Sequence, residues 1–309
     1  MSKAQDVIEE VKKAFVGKDE LINKVMLAIL AGGHILIEDI PGVGKTTLAL
    51  AFSKAMSLDY GRIQFTPDVL PSDIVGYSIY NKNTGQMEYQ KGAVLCNLFL
   101  ADELNRATSR TQSALLEAME ENQVTVDGIT HPTPQPFIVI ATQNPFGASG
   151  TQLLPDSQID RFMVRLSIGY PDPIQEFELL KRKQSGNLLS DIKGVINKNQ
   201  LIEMRKKAHE TYVDNDIYCY IINLINATRN NHYIIQGASP RATIALTAMA
   251  KAAAWYAGRD YVVPEDVQYV FHSTIEHRLV YTPEAQKGIV NKQPVLNTIL
   301  KNVSVPKIA

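Results

Sequence analysis

The tightest constraint on this chain is the junction that runs from His34-Ile35-Leu36-Ile37 into Asp39-Ile40-Pro41-Gly42-Val43-Gly44-Lys45-Thr46. A short, β-branched apolar run reads as a buried strand, and the Pro-Gly turn cannot continue it. Leu48, Ala49, Phe52 and Met56 then resume at helical spacing, so the order is strand, glycine-rich turn, helix. That order suits a phosphate-binding loop. Gly42 and Gly44 let backbone N–H groups converge, the helix N-terminus favours an anion, Lys45 can reach the β/γ oxygens, and the Thr46 hydroxyl can serve Mg²⁺. The full phosphate-loop pattern also asks for glycine at position 39, where this chain has Asp39, so the match is incomplete.

Two further runs, Asn97 to Ala101 and Phe137 to Ala141, are near-continuously apolar and predict parallel strands covered on both faces. The helix between them spans Ser109 to Glu121, with Ala114, Leu115, Ala118 and Met119 on one side. Asp102-Glu103 closes the first of these strands, where open α/β sheets place their ligands. One carboxylate can hold the Mg²⁺ shell and the other can orient water for attack on a γ-phosphorus. Asn144 ends the second strand and can bond a phosphate or that water. Arg161 and Arg241 are candidate stabilisers of phosphate charge. Gln123 to Thr130 alternates around Asp127-Gly128 and reads as a projecting hairpin.

Beyond Tyr170-Pro171-Asp172-Pro173 the pattern turns to helices only: Gln175 to Lys183, Gln200 to Tyr212, Asp216 to Arg229, Pro240 to Tyr256 and Pro264 to His277. We therefore place a domain change near Gly169. The chain has 31 Lys+Arg against 32 Asp+Glu, a formal charge of −1, which argues against bulk binding to a phosphate backbone. Cys96 and Cys219 form neither a CxxC nor a Cys/His spacing, so reduced, buried thiols are expected. The longest apolar stretch, Val25 to Ile37, is interrupted by Gly32, Gly33 and His34 and falls short of the ~20 residues that span a bilayer. A cytoplasmic protein without membrane insertion is the expectation. His272 and His277, five residues apart, are poorly spaced for a shared metal.

With these residues in place, the chain resembles the MoxR-type AAA+ ATPases from about Val16 to Glu276. The resemblance is carried by Phe15-Val16-Gly17, by Glu38 to Thr46, by Arg62 to Ile74 and by Asp102-Glu103-Leu104-Asn105-Arg106-Ala107. Gln112 to Met119, Ala141 to Pro145 and Asp160-Arg161-Phe162 complete the ordered series. It implies an α/β P-loop core with a five-stranded parallel sheet of order 5-1-4-3-2 and a C-terminal all-helical lid. The corresponding division is a nucleotide-binding core at 1–168, a linker and connecting helix at 169–198, and a lid with tail at 199–309. Thr66 to Gly92 looks like an insertion within the second helix, and residues 122–131 like a pre-sensor-1 hairpin.

The resemblance also implies roles. Pro41, Gly42, Val43, Gly44, Lys45, Thr46 and Thr47 would cradle ATP as Walker A, with Val16 and Gly17 at the adenine. Asp102 and Glu103 would be Walker B, Asp102 sharing Mg²⁺ with Thr46 and Glu103 acting on water. Asn144 would be sensor 1, Arg161 the arginine finger and Arg241 sensor 2, acting on its own nucleotide or on a neighbour's. Assembly into a ring, usually a hexamer, follows, as does a protein client, either bearing a von Willebrand factor A domain or a metalloenzyme under maturation. A magnesium-chelatase-like motor subunit is the alternative. A nucleic-acid motor is disfavoured because the hairpin from Gln123 to Thr130 carries Asp127 and no Lys or Arg. A nucleotide-gated binding module without turnover is disfavoured by Glu103 and Arg161. Tyr77, Tyr80 and Tyr89 are either client-facing or packed within the insertion.

Overall fold

The computed structural model describes residues 3–145, 154–184, 188–286 and 292–307. Its central sheet consists of β1 (Ile35–Glu38), β2 (Tyr60–Gln64), β3 (Leu98–Asp102), β4 (Ile138–Gln143) and β5 (Val164–Leu166), in the spatial order β2-β3-β4-β1-β5. This is the expected 5-1-4-3-2 order. The β1–β4, β2–β3 and β3–β4 ladders are all parallel. Every residue of β3 and β4 is buried, which is why both read as unbroken apolar runs rather than alternating ones.

The N-terminal helices are α1 (Lys3–Ala14), α2 (Asp19–Leu30), α3 (Lys45–Ala55) and α4 (Ser109–Glu121). The expected insertion folds as a short helix, Pro71–Val75, and a hairpin pairing Gly76–Asn81 with Gln86–Lys91. The second hairpin pairs Gln123–Val126 with Ile129–Pro132, and its turn residues Asp127 and Gly128 both have positive φ, 50° and 78°. Such a turn twists in the sense of the strands it joins, which explains the Asp-Gly signal. The two hairpins meet where the rings of Tyr89 and His131 stack with centroids 3.8 Å apart. Tyr77 and Tyr80 remain exposed.

The longer helices that follow are α5 (Pro173–Gln184), α6 (Lys198–Glu210), α7 (Asn215–Arg229), α8 (Pro240–Tyr256), α9 (Pro264–Ile275) and α10 (Lys292–Asn302), with single turns at Asp156–Ile159 and Pro283–Gln286. Two features depart from the sequence reading. A short antiparallel ladder joins Ile234–Gln236 to Val280–Tyr281, strands too short to leave a periodic signal. The last expected helix ends at Ile275, and His277 falls in a 3₁₀ turn, Glu276–Arg278.

The thiols also divide. Cys96 is buried, which raises its pKa to about 12. Cys219 is exposed, against expectation, because α7 turns Ile217, Tyr220, Ile221, Leu224 and Ile225 inward and leaves position 219 on the opposite side. No described helix is long and apolar enough to cross a membrane.

The chain forms two compact units that interleave along the sequence. Unit 1 comprises Met1–Ile22, His34–Leu154 and Leu166–Ile202; unit 2 comprises Asn23–Gly33, Pro155–Arg165 and Glu203–Ala309. The connecting segment around α5 thus belongs with the sheet. Part of it, residues 185–187, lies outside the described residues. In unit 2 the core is built from Leu224, Leu246, Met249, Val270, Phe271 and Leu296.

Candidate nucleotide site

In unit 1 the turn after β1 has the backbone that a phosphate cradle requires. Gly42 and Gly44 take φ of 85° and 96°, and Gly44 caps α3 in the left-handed conformation. A Cβ on Gly44 would also lie 3.0 Å from the Phe15 ring, so this position is closed to larger residues twice over. Lys45, Thr46 and Thr47 form the first turn of α3, whose N–H groups have no intrahelical partners. Pro41 and Gly42 are exposed, Val43 is half-buried, and Lys45 is buried. The Lys45 ammonium donates to the Asp39 carbonyl at 2.6 Å. Burial lowers its pKa, opposed by the negative charges of Asp39, Asp102 and Glu103, which the fold gathers around it.

Asp39, the departure from the phosphate-loop pattern, spends its carboxylate on hydrogen bonds outside that cradle. Its Oδ1 accepts from the Ile40 N–H at 2.8 Å. Its Oδ2 accepts from the Ile168 and Gly169 N–H groups, both at 2.6 Å, and from the Ser167 hydroxyl at 3.0 Å. Burial would raise its pKa, but the hydrogen bonds from Gly169, Ile40, Ser167 and Ile168 outweigh burial and hold it below the ordinary value. The carboxylate therefore fastens the start of the loop to the chain leaving β5, a role glycine could not fill.

At the carboxyl ends of β3 and β4, each acid is held by named partners. Arg62 Nη2 donates to Asp102 Oδ2 at 2.8 Å and the Thr142 hydroxyl to Asp102 Oδ1 at 2.8 Å. Parallel pairing sets Arg62 beside Leu100, and the two-residue period puts Asp102 on the same face. Thr142 Oγ1 also accepts from the Glu103 N–H at 2.8 Å, and one hydroxyl thereby fixes both acids. Glu103 has a left-handed backbone, φ 58°, and its carboxylate pairs with Arg106 at 2.7 Å. The Asn144 backbone is bracketed by the Asn105 amide, which donates to its carbonyl at 3.2 Å and accepts from its N–H at 3.4 Å. Sequence reasoning assigned no role to Arg62, Asn105, Arg106 or Thr142, although all lie inside the motifs that carried the resemblance.

Val16 and Gly17 follow α1 in the same unit. The Gly17 carbonyl accepts from the Gln175 amide at 2.9 Å, a link to α5 that sequence reasoning did not anticipate. The oxygen donors available, the Asp102 carboxylate and the Thr46 hydroxyl, are hard ligands suited to Mg²⁺, and the cradle of N–H groups beside Lys45 suits a polyphosphate.

Unit 2 carries the arginines. Asp160 Oδ2 accepts from the Ser239 hydroxyl at 3.3 Å, and Oδ1 lies 3.5 Å from Arg278 Nε. The segment holding Arg161 is thereby tied to the start of α8, where Arg241 sits in the first turn. Arg278, which sequence reasoning missed, is almost completely buried and donates to the Phe162 carbonyl at 2.6 Å. Burial pushes its pKa to about 10, relieved by Asp160 and aggravated by Arg241. Beside it, burial and the charges of Arg278 and Arg165 hold the His277 pKa well below the usual imidazole value, leaving that ring neutral. No motif spacing marks Arg278; only the folded arrangement does.

Comparison with known proteins supplies the remaining observations. The family described as "ATPase family associated with various cellular activities (AAA)" matches residues 34–164, and an "AAA lid domain" family matches residues 226–299. The chain is 42% identical to the Bacillus subtilis protein YeaC over 97% of this chain and 93% of that one. It is 37% identical to Chaperone MoxR1 of Mycobacterium tuberculosis, with 97% and 82% covered. A solved structure from Cytophaga hutchinsonii, provisionally named an ATPase, superposes with a TM-score of 0.90 at 40% identity, over 99% of this chain and 95% of that one.

Proposed function

We propose a function that starts from family membership: the chain belongs to the MoxR-type AAA+ ATPases. In this reading it binds ATP with Mg²⁺, hydrolyses it, and uses the cycle to remodel, mature or activate a protein client. The observation that carries the proposal is the grouping, in unit 1, of Lys45 with Asp102 and Glu103 beside a loop whose glycines open its N–H groups. Pro41 to Thr47 bind the phosphates, Lys45 neutralises the β/γ oxygens, and Val16 with Gly17 receives the adenine. Thr46 and Asp102 would hold Mg²⁺, which offsets charge on the phosphates. Glu103 orients the water that attacks the γ-phosphorus while ADP leaves, and Asn144 fixes that water or the phosphate.

Arg161 supplies positive charge to the transition state from a neighbouring subunit, with Arg241 acting as the sensor of the γ-phosphate. This assignment requires a ring, and a hexamer is the proposed form. The core at 1–168, the connecting segment at 169–198 and the lid at 199–309 are the proposed working parts. For the client, a protein bearing a von Willebrand factor A domain is the first candidate, and service as a magnesium-chelatase-like motor subunit is the second. The exposed Tyr77, Ile79, Tyr80, Met87 and Ile129 on the two hairpins favour a polypeptide over a nucleic acid.

Glu103→Gln decides the hydrolytic assignment. It should bind ATP at wild-type affinity and release phosphate at least ~10²-fold more slowly, as expected when a residue that positions water is lost. Normal turnover in that variant would remove Glu103 from the mechanism. The same variant held in ATP should retain the client in a pull-down.

A further inference from the structure

Unit 2 contains a cavity of about 280 Å³ between the end of α2, the face of α6 and the middle of α8. Leu30, Ala208 and Ala248 give it apolar walls, and Arg205, Lys206 and Lys251 bring three positive charges to it. Arg205 uses Nε to cap the end of α2, donating to the Ile29 carbonyl at 2.8 Å. Its Nη2 is shielded from solvent and has no hydrogen-bond partner among the described residues. Burial lowers the Arg205 pKa, to about 10, and no carboxylate among the described residues offsets it. Lys251 is held over the cavity by a 2.8 Å bond from its ammonium to the His209 carbonyl. Of the two acids that flank Arg205 on α6, Glu203 is exposed and Glu210 pairs at 3.9 Å with Lys206 on an exposed face.

A partly buried guanidinium gains from an anion beside it, because part of the cost of removing it from water is recovered there. Here the fold supplies part of the hydrogen bonding and leaves the counter-charge to a ligand. The apolar walls exclude an ion that must stay hydrated. The end of α2 adds the negative pole of a helix, which penalises a phosphate dianion more than a monoanion. We propose that this cavity binds a carboxylate carried on a short apolar stem, with Arg205 as the principal donor and Lys251 as the second. Such a group is presented either by a small free acid or by the carboxyl terminus of a polypeptide.

Calorimetric titration of the full chain tests this with butanoate, its neutral isostere butanamide, inorganic phosphate, and a short peptide ending in Leu as free acid and as C-terminal amide. Butanoate should bind and butanamide should not. Arg205→Gln should weaken butanoate by roughly tenfold or more, the loss expected for a charge-assisted bond. Lys251→Gln leaves the cap on α2 intact and should weaken it by a smaller factor, so a folding defect at Arg205 does not decide the matter. ATP affinity, measured alongside, should stay unchanged in both variants. A free-acid peptide that binds more tightly than butanoate identifies the polypeptide source, and equal affinity identifies a small acid. Equal binding of acid and amide, phosphate binding more tightly than butanoate, or no binding at millimolar butanoate would overturn the proposal.

Discussion

The acids of unit 1 and the arginines of unit 2 solve opposite electrostatic problems. Around β3 and β4, Asp39, Asp102 and Glu103 all have partners inside their own unit, from Arg62, Arg106, Thr142 or backbone N–H groups. Around Asp160, buried Arg278 leaves one Nη nitrogen without a partner among the described residues, the charge of Arg241 presses on it, and those of Arg278 and Arg165 press on His277. The first arrangement is pre-organised and needs no ligand to hold its geometry. In the second, Asp160 offsets only part of what burial and the Arg241 charge cost the Arg278 guanidinium. The proposed catalytic acids and the proposed sensor arginines therefore fall in different compact units.

The sharpest way to break this contrast is through Arg161. If unit 2 supplies charge only to the transition state, Arg161→Ala should keep nucleotide affinity while the rate falls by ~10³ to 10⁵. Mixing that variant with a Lys45→Ala subunit should restore part of the activity, because each protein then supplies the group the other lacks. Phosphate release from the mixture, compared with each variant alone, reads the outcome. An absence of complementation would argue against a shared site, and unit 2 would lose its role in trans.

Asp39 tests the other side, with an expected effect smaller than that of Arg161. Asp39→Asn replaces an acceptor of four hydrogen bonds with a group that turns an N–H toward some of those donors. Leaving buried donors unsatisfied costs roughly 2 to 3 kcal/mol. The native pKa is depressed, so the carboxylate's stabilisation is complete above its unfolded value of 3.8 and is lost as pH falls below it toward the native pKa. Urea unfolding at pH 7 and pH 3 should show the two proteins differing at pH 7 and converging at pH 3. A pH-independent difference would mean that Asp39 acts through shape and not charge.

What could be read in the sequence was what lies close in sequence. The phosphate loop, the Asp-Glu at the end of β3, the Asp-Gly hairpin and the helix Ser109–Glu121 each depend on neighbours a few residues away, and each formed as the pattern required. Asp39 shows why the rest was hidden. Its deciding partners stand 128 to 130 residues downstream, so an apparent flaw in a motif was a fastening whose other half no local window contains. The cavity at Arg205 draws on three separated helices, and the short ladder at Ile234 draws on a strand of two residues. The exposure of Cys219 follows from which face of α7 is buried, and that is settled by packing and not by the presence of a thiol.

The smallest effect separates the units by pH alone. His277 is buried against the Phe162 carbonyl, with Arg278 and Arg165 facing it, so its native pKa lies well below the unfolded value of 6.5. The unfolded chain therefore binds a proton that the native chain refuses once pH falls below 6.5, and stability declines with falling pH. One such group contributes a slope of at most about 1.4 kcal/mol per pH unit. That slope begins at a higher pH than the loss of the Asp39 contribution, which starts only below 3.8. His277→Gln can keep a donor to the Phe162 carbonyl while removing the titration, and it should flatten the stability profile as pH falls below 6.5. Stepwise pH unfolding, followed by Trp255 fluorescence for unit 2, measures this directly. If the variant keeps the full slope, the acid response arises elsewhere and not from the ring held beside Arg278.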